Sequence, residues 1–467
     1  TAEVWLVPAR GLWRTETHDL ASPIDRYCMC QIAVNTEFSS TFAVKVMDID
    51  VLSTGSLYIY DLLCLFKERH PDKEFCFVIG SDRLLGESSV STWKSINKNW
   101  KEGDPEDQRL ISTGHKMIAE FDLLVIKRPG FDLPPCENDP TGLKAFGSRL
   151  SWLAMPEGAT LVQANLGSDE IKSRSQSKFA MKVRDSVATK SLFAIDGLVA
   201  RSVLCYIWRH RLYMPSEIQT PSRKRVAIYG GAFDPITNAH LTCASEIVHS
   251  RCADEVWIVP CGPRPDKPGL KTLPLDRYCM CQIGVSVTFL PDFPIRVSDI
   301  ECFSEEAFPT YDLLCSLRAK NPLIDFSFII GSDWLQPGSN MAAWTSKNWD
   351  WKPGDPEDQR VVVTGQKMLN EFDFLVIKRP GYDVPFTAED PTGLKSFGPR
   401  LSWMSMQEGQ TYVEGNLSST EIRKRSAMAA RVRDGISAKD WDGIDGLVPG
   451  GVRAYIRRRG LYNSSFD

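Results

Sequence analysis

The sequence predicts an α/β protein built from two tandem, doubly wound, Rossmann-like domains with parallel sheets. Three observations predict it: the length, a long internal repeat, and short apolar runs that alternate with helix-period segments. At 467 residues the chain exceeds what one core fills, so two domains are expected. AEVWLVP from Ala2 returns as DEVWIVP from Asp254, and DRYCMCQI starts at Asp25 and again at Asp276. GDPEDQR starts at Gly103 and Gly354, and EFDLLVIKRPG at Glu120 returns as EFDFLVIKRPG at Glu371. From the second match onward the copies stay 251 residues apart: Arg26 with Arg277, Asp82 with Asp333, Arg128 with Arg379. A repeat this long is a duplicated domain rather than a solenoid unit. The reading is a first domain over residues 1–214, a polar, proline-bearing linker over 215–224, and a second domain over 225–467.

Within the second copy, the apolar runs at 226–229, 255–259, 326–330 and 372–377 read as buried strands. Segments 238–250, 275–288 and 311–318 between them read as helices. This alternation predicts a parallel sheet covered on both faces, with ligands beyond the carboxyl ends of its strands.

Composition narrows the class. With 43% hydrophobic and 24% charged residues the chain is of ordinary globular type. No apolar run approaches the roughly 20 residues that span a bilayer. A net charge of −4 argues against broad capture of nucleic acid. Neither a membrane nor a nucleic-acid partner is expected, and Arg457, Arg458 and Arg459 read as a solvated cluster near the end of a closing helix. The 13 cysteines are odd in number, and Cys28/Cys30 and Cys279/Cys281 are spaced for different helix faces, not for a shared metal. They read as reduced thiols of an intracellular, cytoplasmic protein, with the nucleus left open. Thr1 in place of Met points to residues removed or missing upstream.

Two segments carry chemistry. In RVAIYGGAFDPITNAHL, residues 225–241, a strand runs into Gly230 and Gly231, where backbone amides can approach an anion, and His240 follows at a helix start. In NLSSTEIRKR, residues 416–425, Ser418, Ser419 and Thr420 offer capping oxygens and amides, with Arg423 one turn on. Donors and cations at helix amino termini suit a polyphosphate. Alone, the first could be a glycine turn with a core histidine and the second a capped helix with solvated arginines; together they favour a nucleotide site.

Together, GGAFDP with the histidine of TNAH, and SSTEIR near the carboxyl end, resemble the nicotinamide/nicotinate mononucleotide adenylyltransferases of the nucleotidyltransferase superfamily. The resemblance covers the whole second copy, through LVPGGVRAYIRRRGLY. It implies an adenylyltransferase joining ATP to nicotinamide or nicotinate mononucleotide, giving the dinucleotide and pyrophosphate. Mg2+ would be carried in with ATP, with no dedicated metal ligands. By resemblance His240, Arg423 and Lys267 are catalytic. Gly230, Gly231, Ala232, Phe233, Thr237, Gly331, Asp333, Ser418, Ser419 and Thr420 would join His240 and Arg423 in binding ATP. Thr310, Trp344 and Arg379 would line the mononucleotide site. Lys267 could instead be a solvated loop lysine, Trp344 a core residue and Arg379 part of a turn. Pantetheine-phosphate adenylyltransferases, cytidylyltransferases and a nucleotide-sensing scaffold are the alternatives.

The first copy reads as degenerate. It keeps Asp82, Trp93 and Arg128, but Ile59 stands for Thr310, and Asp169 and Lys172 stand for Thr420 and Arg423. It opens at the second strand, so it is expected to lack the first strand and the GGxFDP loop. A structural or regulatory role follows, with the copies docked as an intramolecular pseudo-dimer or the chain forming a homo-oligomer.

Overall fold

The computed structural model describes residues 3–10, 21–53, 55, 57–128, 130–153, 199–213, 223–264, 267, 269–270, 272–306, 308–405, 419–420, 422–423 and 444–462. In chain order the first copy supplies β1 (Val4–Leu6), α1 (Pro23–Glu37), β2 (Val44–Val46), α2 (Ile59–Arg69), β3 (Cys76–Gly80), β4 (Lys94–Ile96), β5 (Leu110–Ser112), α3 (Gly114–Glu120), β6 (Asp122–Ile126), β7 (Leu150–Trp152) and α4 (Arg201–Arg209). The second supplies β8 (Lys224–Gly231), α5 (Asn238–His249), β9 (Glu255–Pro260), α6 (Pro274–Thr288), β10 (Ile295–Val297), α7 (Thr310–Lys320), β11 (Ile324–Gly331), β12 (Thr345–Lys347), β13 (Val361–Val363), α8 (Gly365–Glu371), β14 (Asp373–Ile377), β15 (Leu401–Trp403) and α9 (Gly450–Arg459).

The second copy holds one six-stranded parallel sheet in the order β10-β9-β8-β11-β14-β15. The four strands and three helices expected from periodicity are all present, each within about two residues of its expected ends. β10, β15 and the antiparallel β12–β13 hairpin were not anticipated, because three-residue strands are too short to show a period. β8 lies at the centre, and Val226, Ala227 and Ile228 are fully buried beneath helices on both faces. That burial fixes where β8 ends, and so where its glycines deliver the chain.

Contacts divide the chain into two compact units. One comprises Thr1–Leu6, Ile24–Val46 and Lys178–Asp467; the other comprises Val7–Pro23 and Met47–Ser177. Compact units and sequence repeats are thus different divisions, since helices of the first copy belong to the unit that holds the second copy's sheet. The first copy's strands fall into a β1–β2 pair, an antiparallel β4–β5 pair and a separate β3-β6-β7 sheet. Among the described residues no strand pairs with both β1 and β3, the part that β8 plays between β9 and β11. The edges are correspondingly open: Val78 on β3 is 49% exposed, whereas its repeat partner Ile329 is 3% exposed. The β3-β6-β7 unit has its own core of Leu63, Ile79, Met117, Phe121, Leu123, Val125 and Leu143.

Inside the larger unit, contacts between the copies are reciprocal. Arg209 on α4 donates to the carbonyls of Phe289 and Leu290, just past α6, at 3.3 and 2.9 Å. Arg458 on α9 donates to the carbonyls of Phe38 and Ser39, just past α1, at 3.5 and 2.7 Å. Phe38 and Phe289 are the same position of the repeat. Each copy also carries the same internal contact: Tyr206 donates to Asp25 at 2.9 Å, and Tyr455 donates to Asp276 at 2.7 Å. The reciprocal arginine contacts make an isologous surface within one chain. They also correct the reading of 457–459 as a solvated cluster. Arg459 pairs with Asp276 at 3.1 Å and Arg457 donates to Ser40 at 2.9 Å. The carbonyls beyond a helix end need donors, and the planar guanidinium fork supplies them. All 13 cysteines are free thiols. Among the described residues no helix is long and apolar enough to cross a membrane.

Candidate active site

β8 delivers Gly230 and Gly231 to the carboxyl edge of the sheet. A Cβ on Gly230 would lie 2.9 Å from Cζ of Phe328 on the neighbouring strand, so only glycine keeps the turn this close. Phe233 follows with φ of 46°, then a cis Asp234–Pro235 peptide, and α5 starts behind the N-cap Thr237. Thr237 is buried and its hydroxyl accepts the His240 N–H at 3.2 Å. In return, the Thr237 N–H donates to His240 Nδ1 at 3.0 Å, a capping box closed by an imidazole.

That contact decides the tautomer. Nδ1 accepts, so the ring proton is on Nε2. Burial, with the Arg379 guanidinium nearby, pushes the His240 pKa down to about 4. His240 is therefore a neutral donor at physiological pH. It lines a cleft of about 790 Å3 together with Gly230, Gly231, Ala232 and Phe233.

Three further walls complete the cleft. The loop after β9 brings Arg264 and Lys267 to it. The end of β11 contributes Gly331 and Asp333, and Arg379 on the loop after β14 pairs with Asp333 at 2.7 Å. Asp333 Oδ1 is buried and has no hydrogen-bond donor among the described residues, an acceptor suited to a hydroxyl. At the far end Trp344 meets Trp334 edge to face, with ring centroids 5.1 Å apart, and Thr310 and Thr345 stand beside them. The Trp344 carbonyl accepts from both Thr364 and Gly365 at 2.9 Å, which holds the tryptophan's backbone firmly.

A Cβ at Gly331 would sit 2.2 Å from Asp333 Oδ1 and 2.7 Å from Arg379 Cδ. Gly331→Ala is therefore expected to displace that pair and weaken ATP binding by about tenfold with little loss of fold. Isothermal titration with ATP, beside a thermal melt, checks it; wild-type affinity would clear Asp333 of any part in binding.

The second motif docks onto the first. Ser419 Oγ donates to the Pro235 carbonyl at 2.8 Å, and Ile422 is fully buried. Arg423 donates to the Asp234 carbonyl at 2.5 Å and to Thr420 Oγ1 at 3.1 Å. Asp234 is itself buried, and its Oδ1 accepts from Thr272 at 2.5 Å and Tyr462 at 2.6 Å. Ser419 reaches the cleft wall, whereas Thr237, Thr420 and Arg423 stand behind it. Ser418, Asp169 and Lys172 lie outside the described residues. Asp234, Arg264, Glu301 and Trp334 were not singled out from sequence, although Asp234 is within GGAFDP and Arg264 shares a loop with Lys267. Glu301 and Trp334 carry no local signal.

The family described as Cytidylyltransferase-like matches residues 228–425, which span this cleft. A probable nicotinate-nucleotide adenylyltransferase of Mycolicibacterium vanbaalenii is 30% identical over 243 residues, 52% of this chain and 94% of that protein. The chain belongs to the nicotinate-nucleotide adenylyltransferase family. A Bacillus subtilis member of this adenylyltransferase family is 26% identical over 242 residues, covering 52% of this chain and all of that protein. Among solved structures, Plasmodium falciparum nicotinic acid mononucleotide adenylyltransferase complexed with NaAD is 27% identical over 52% of this chain, with a TM-score of 0.38. Among the described residues, the cleft of this adenylyltransferase-family chain is lined only by its second copy.

Proposed function

We propose that the second copy transfers the adenylyl group of ATP to nicotinate mononucleotide, releasing pyrophosphate and forming the dinucleotide. The observation that carries this is the placement, in one cleft, of a neutral His240 donor beside a glycine turn and an aromatic corner at Trp334 and Trp344. One end suits phosphates and the other a flat ring, and the cleft's size is that of a nucleotide pocket. The nicotinate form is preferred because the relatives carry that name.

The mononucleotide phosphate is already anionic and attacks the α-phosphorus without a general base. The chain's task is then alignment and neutralisation of developing charge. His240 Nε2–H donates to the transferring phosphate. Lys267 and Arg264 face the departing pyrophosphate, and Arg423 braces the Asp234 carbonyl behind the glycine turn. Asp333 accepts from a ribose hydroxyl. The cations around the cleft fit ATP that brings its own Mg2+, which supplies charge neutralisation at the phosphates. The first copy, with Ile59 and Arg83 where the second has Thr310 and Trp334, would be the structural member.

Incubation of the full chain with ATP and either mononucleotide, following dinucleotide and pyrophosphate together, tests this; absence of both products discards it. Trp344→Ala should raise KM for the mononucleotide about tenfold while leaving that for ATP within about twofold. Equal KM values for the mononucleotide in variant and wild type would return Trp344 to a purely packing role.

A further inference from the structure

Beside the cleft, two buried ionisable side chains bracket a single residue. Gly262 lies two residues past β9, at the root of the loop that carries Arg264 and Lys267. Its N–H donates to Glu301 Oε2 at 3.1 Å, and its carbonyl accepts from Arg277 Nη2 at 3.1 Å. Arg277 also donates to Cys261 Sγ at 3.1 Å. Glu301 is 6% exposed and Arg277 1%. A Cβ at Gly262 would sit 2.6 Å from the Glu301 carbonyl oxygen, so a side chain here would force this clamp to shift. The first copy repeats the contact with a shorter acid: Asp50 Oδ2 accepts the Arg10 N–H at 2.6 Å. Holding this loop root by a carboxylate is thus built into both copies, and in the second the loop bears two of the cleft's cations, Arg264 and Lys267.

We propose that Glu301 and Arg277 are positioning residues that clamp Gly262 and thereby hold Arg264 and Lys267 toward the phosphates of ATP, more tightly when Glu301 is ionised. This rests on the adenylyltransferase reading. Burial pushes the Glu301 pKa up to about 7, while the Gly262 N–H, Arg264 and Arg277 pull the other way. The groups facing it are Arg264 from the loop and Arg277 from α6, with the Cys261 and Cys302 thiols beside Arg277. A carboxylate accepts an N–H more strongly than a carboxylic acid does, and it also attracts both guanidinium groups. The hold is therefore complete above neutrality and slackens as pH falls through about 7.

ATP's own terminal phosphate titrates in a neighbouring range, so the conservative variant is needed to separate the two. ATP binding to the full-length protein by titration calorimetry, and steady-state KM and kcat, are compared at pH 6 and pH 8 for wild type, Glu301→Gln, Glu301→Ala and Gly262→Ala. Glu301→Ala and Gly262→Ala are expected to weaken ATP binding about tenfold at pH 8 and to leave the mononucleotide KM within about twofold. Glu301→Gln keeps an acceptor and should bind ATP as wild type does at pH 6, while gaining less affinity than wild type on passing to pH 8. Wild-type ATP affinity in Glu301→Ala or Gly262→Ala at pH 8, or a wild-type pH profile in Glu301→Gln, overturns the clamp. A wild type whose ATP binding follows this pattern while no dinucleotide forms would discard the reaction and keep the clamp.

Discussion

His240→Ala is expected to lower dinucleotide synthesis by about a hundredfold to a thousandfold at saturating substrates, the usual effect of removing one preorganised donor to a developing oxyanion. Its structural cost is smaller. The imidazole accepts the Thr237 N–H at 3.0 Å, and losing that half of the capping box costs about 1 kcal/mol. kcat should therefore fall far more than the melting temperature. The pH dependence carries a sign. Burial holds the folded pKa near 4, below the ordinary histidine value of 6.5. The stability that neutral His240 contributes is present above about 6.5 and is lost as pH falls toward 4. Protonation would place a hydrogen on Nδ1 against the Thr237 N–H. Wild type should thus lose stability on acidification more steeply than His240→Ala, which denaturant melts at pH 7.5 and 5 compare. Near-wild-type turnover in the variant would refute the proposed reaction site.

Arg209→Ala should destabilise the larger unit by roughly 2–4 kcal/mol, lowering its melting temperature by roughly 5–10 °C. Arg209 is 5% exposed and feeds the carbonyls of Phe289 and Leu290. Truncation leaves both carbonyls without this donor, which outweighs relief of the guanidinium's own desolvation. That desolvation pushes the Arg209 pKa down to about 10. Arg458→Ala removes the reciprocal contact to Phe38 and Ser39 and should act in the same direction. kcat per folded molecule stays at its wild-type value, because neither arginine lines the cleft. A melting temperature unchanged in both variants would show that these contacts do not bind the copies together.

The candidate site was legible in the sequence where neighbours in sequence are neighbours in space. Gly230, Gly231, Phe233 and His240 belong to one strand–turn–helix, so spacing alone brings them together. Trp334, Glu301 and Arg264 come from three distant loops, and only the parallel sheet aligns those loops along one edge. The arginines at 457–459 were misread for a related reason. A charge run looks solvated until a second element presents carbonyls to it, and β2 and the turn after α1 of the first copy do so.

By itself the sequence determined the internal repeat, the parallel α/β sheet of the second copy and the glycine–histidine turn at its edge. Apolar periodicity and local turn chemistry are properties of contiguous residues. Tertiary structure alone decided three things: that helices of the first copy pack reciprocally against α6 and α9, that His240 is a neutral donor, and that Gly262 is clamped between Glu301 and Arg277. Each depends on burial beside a partner far away in the chain, and burial sets both the strength of a hydrogen bond and the charge a side chain carries.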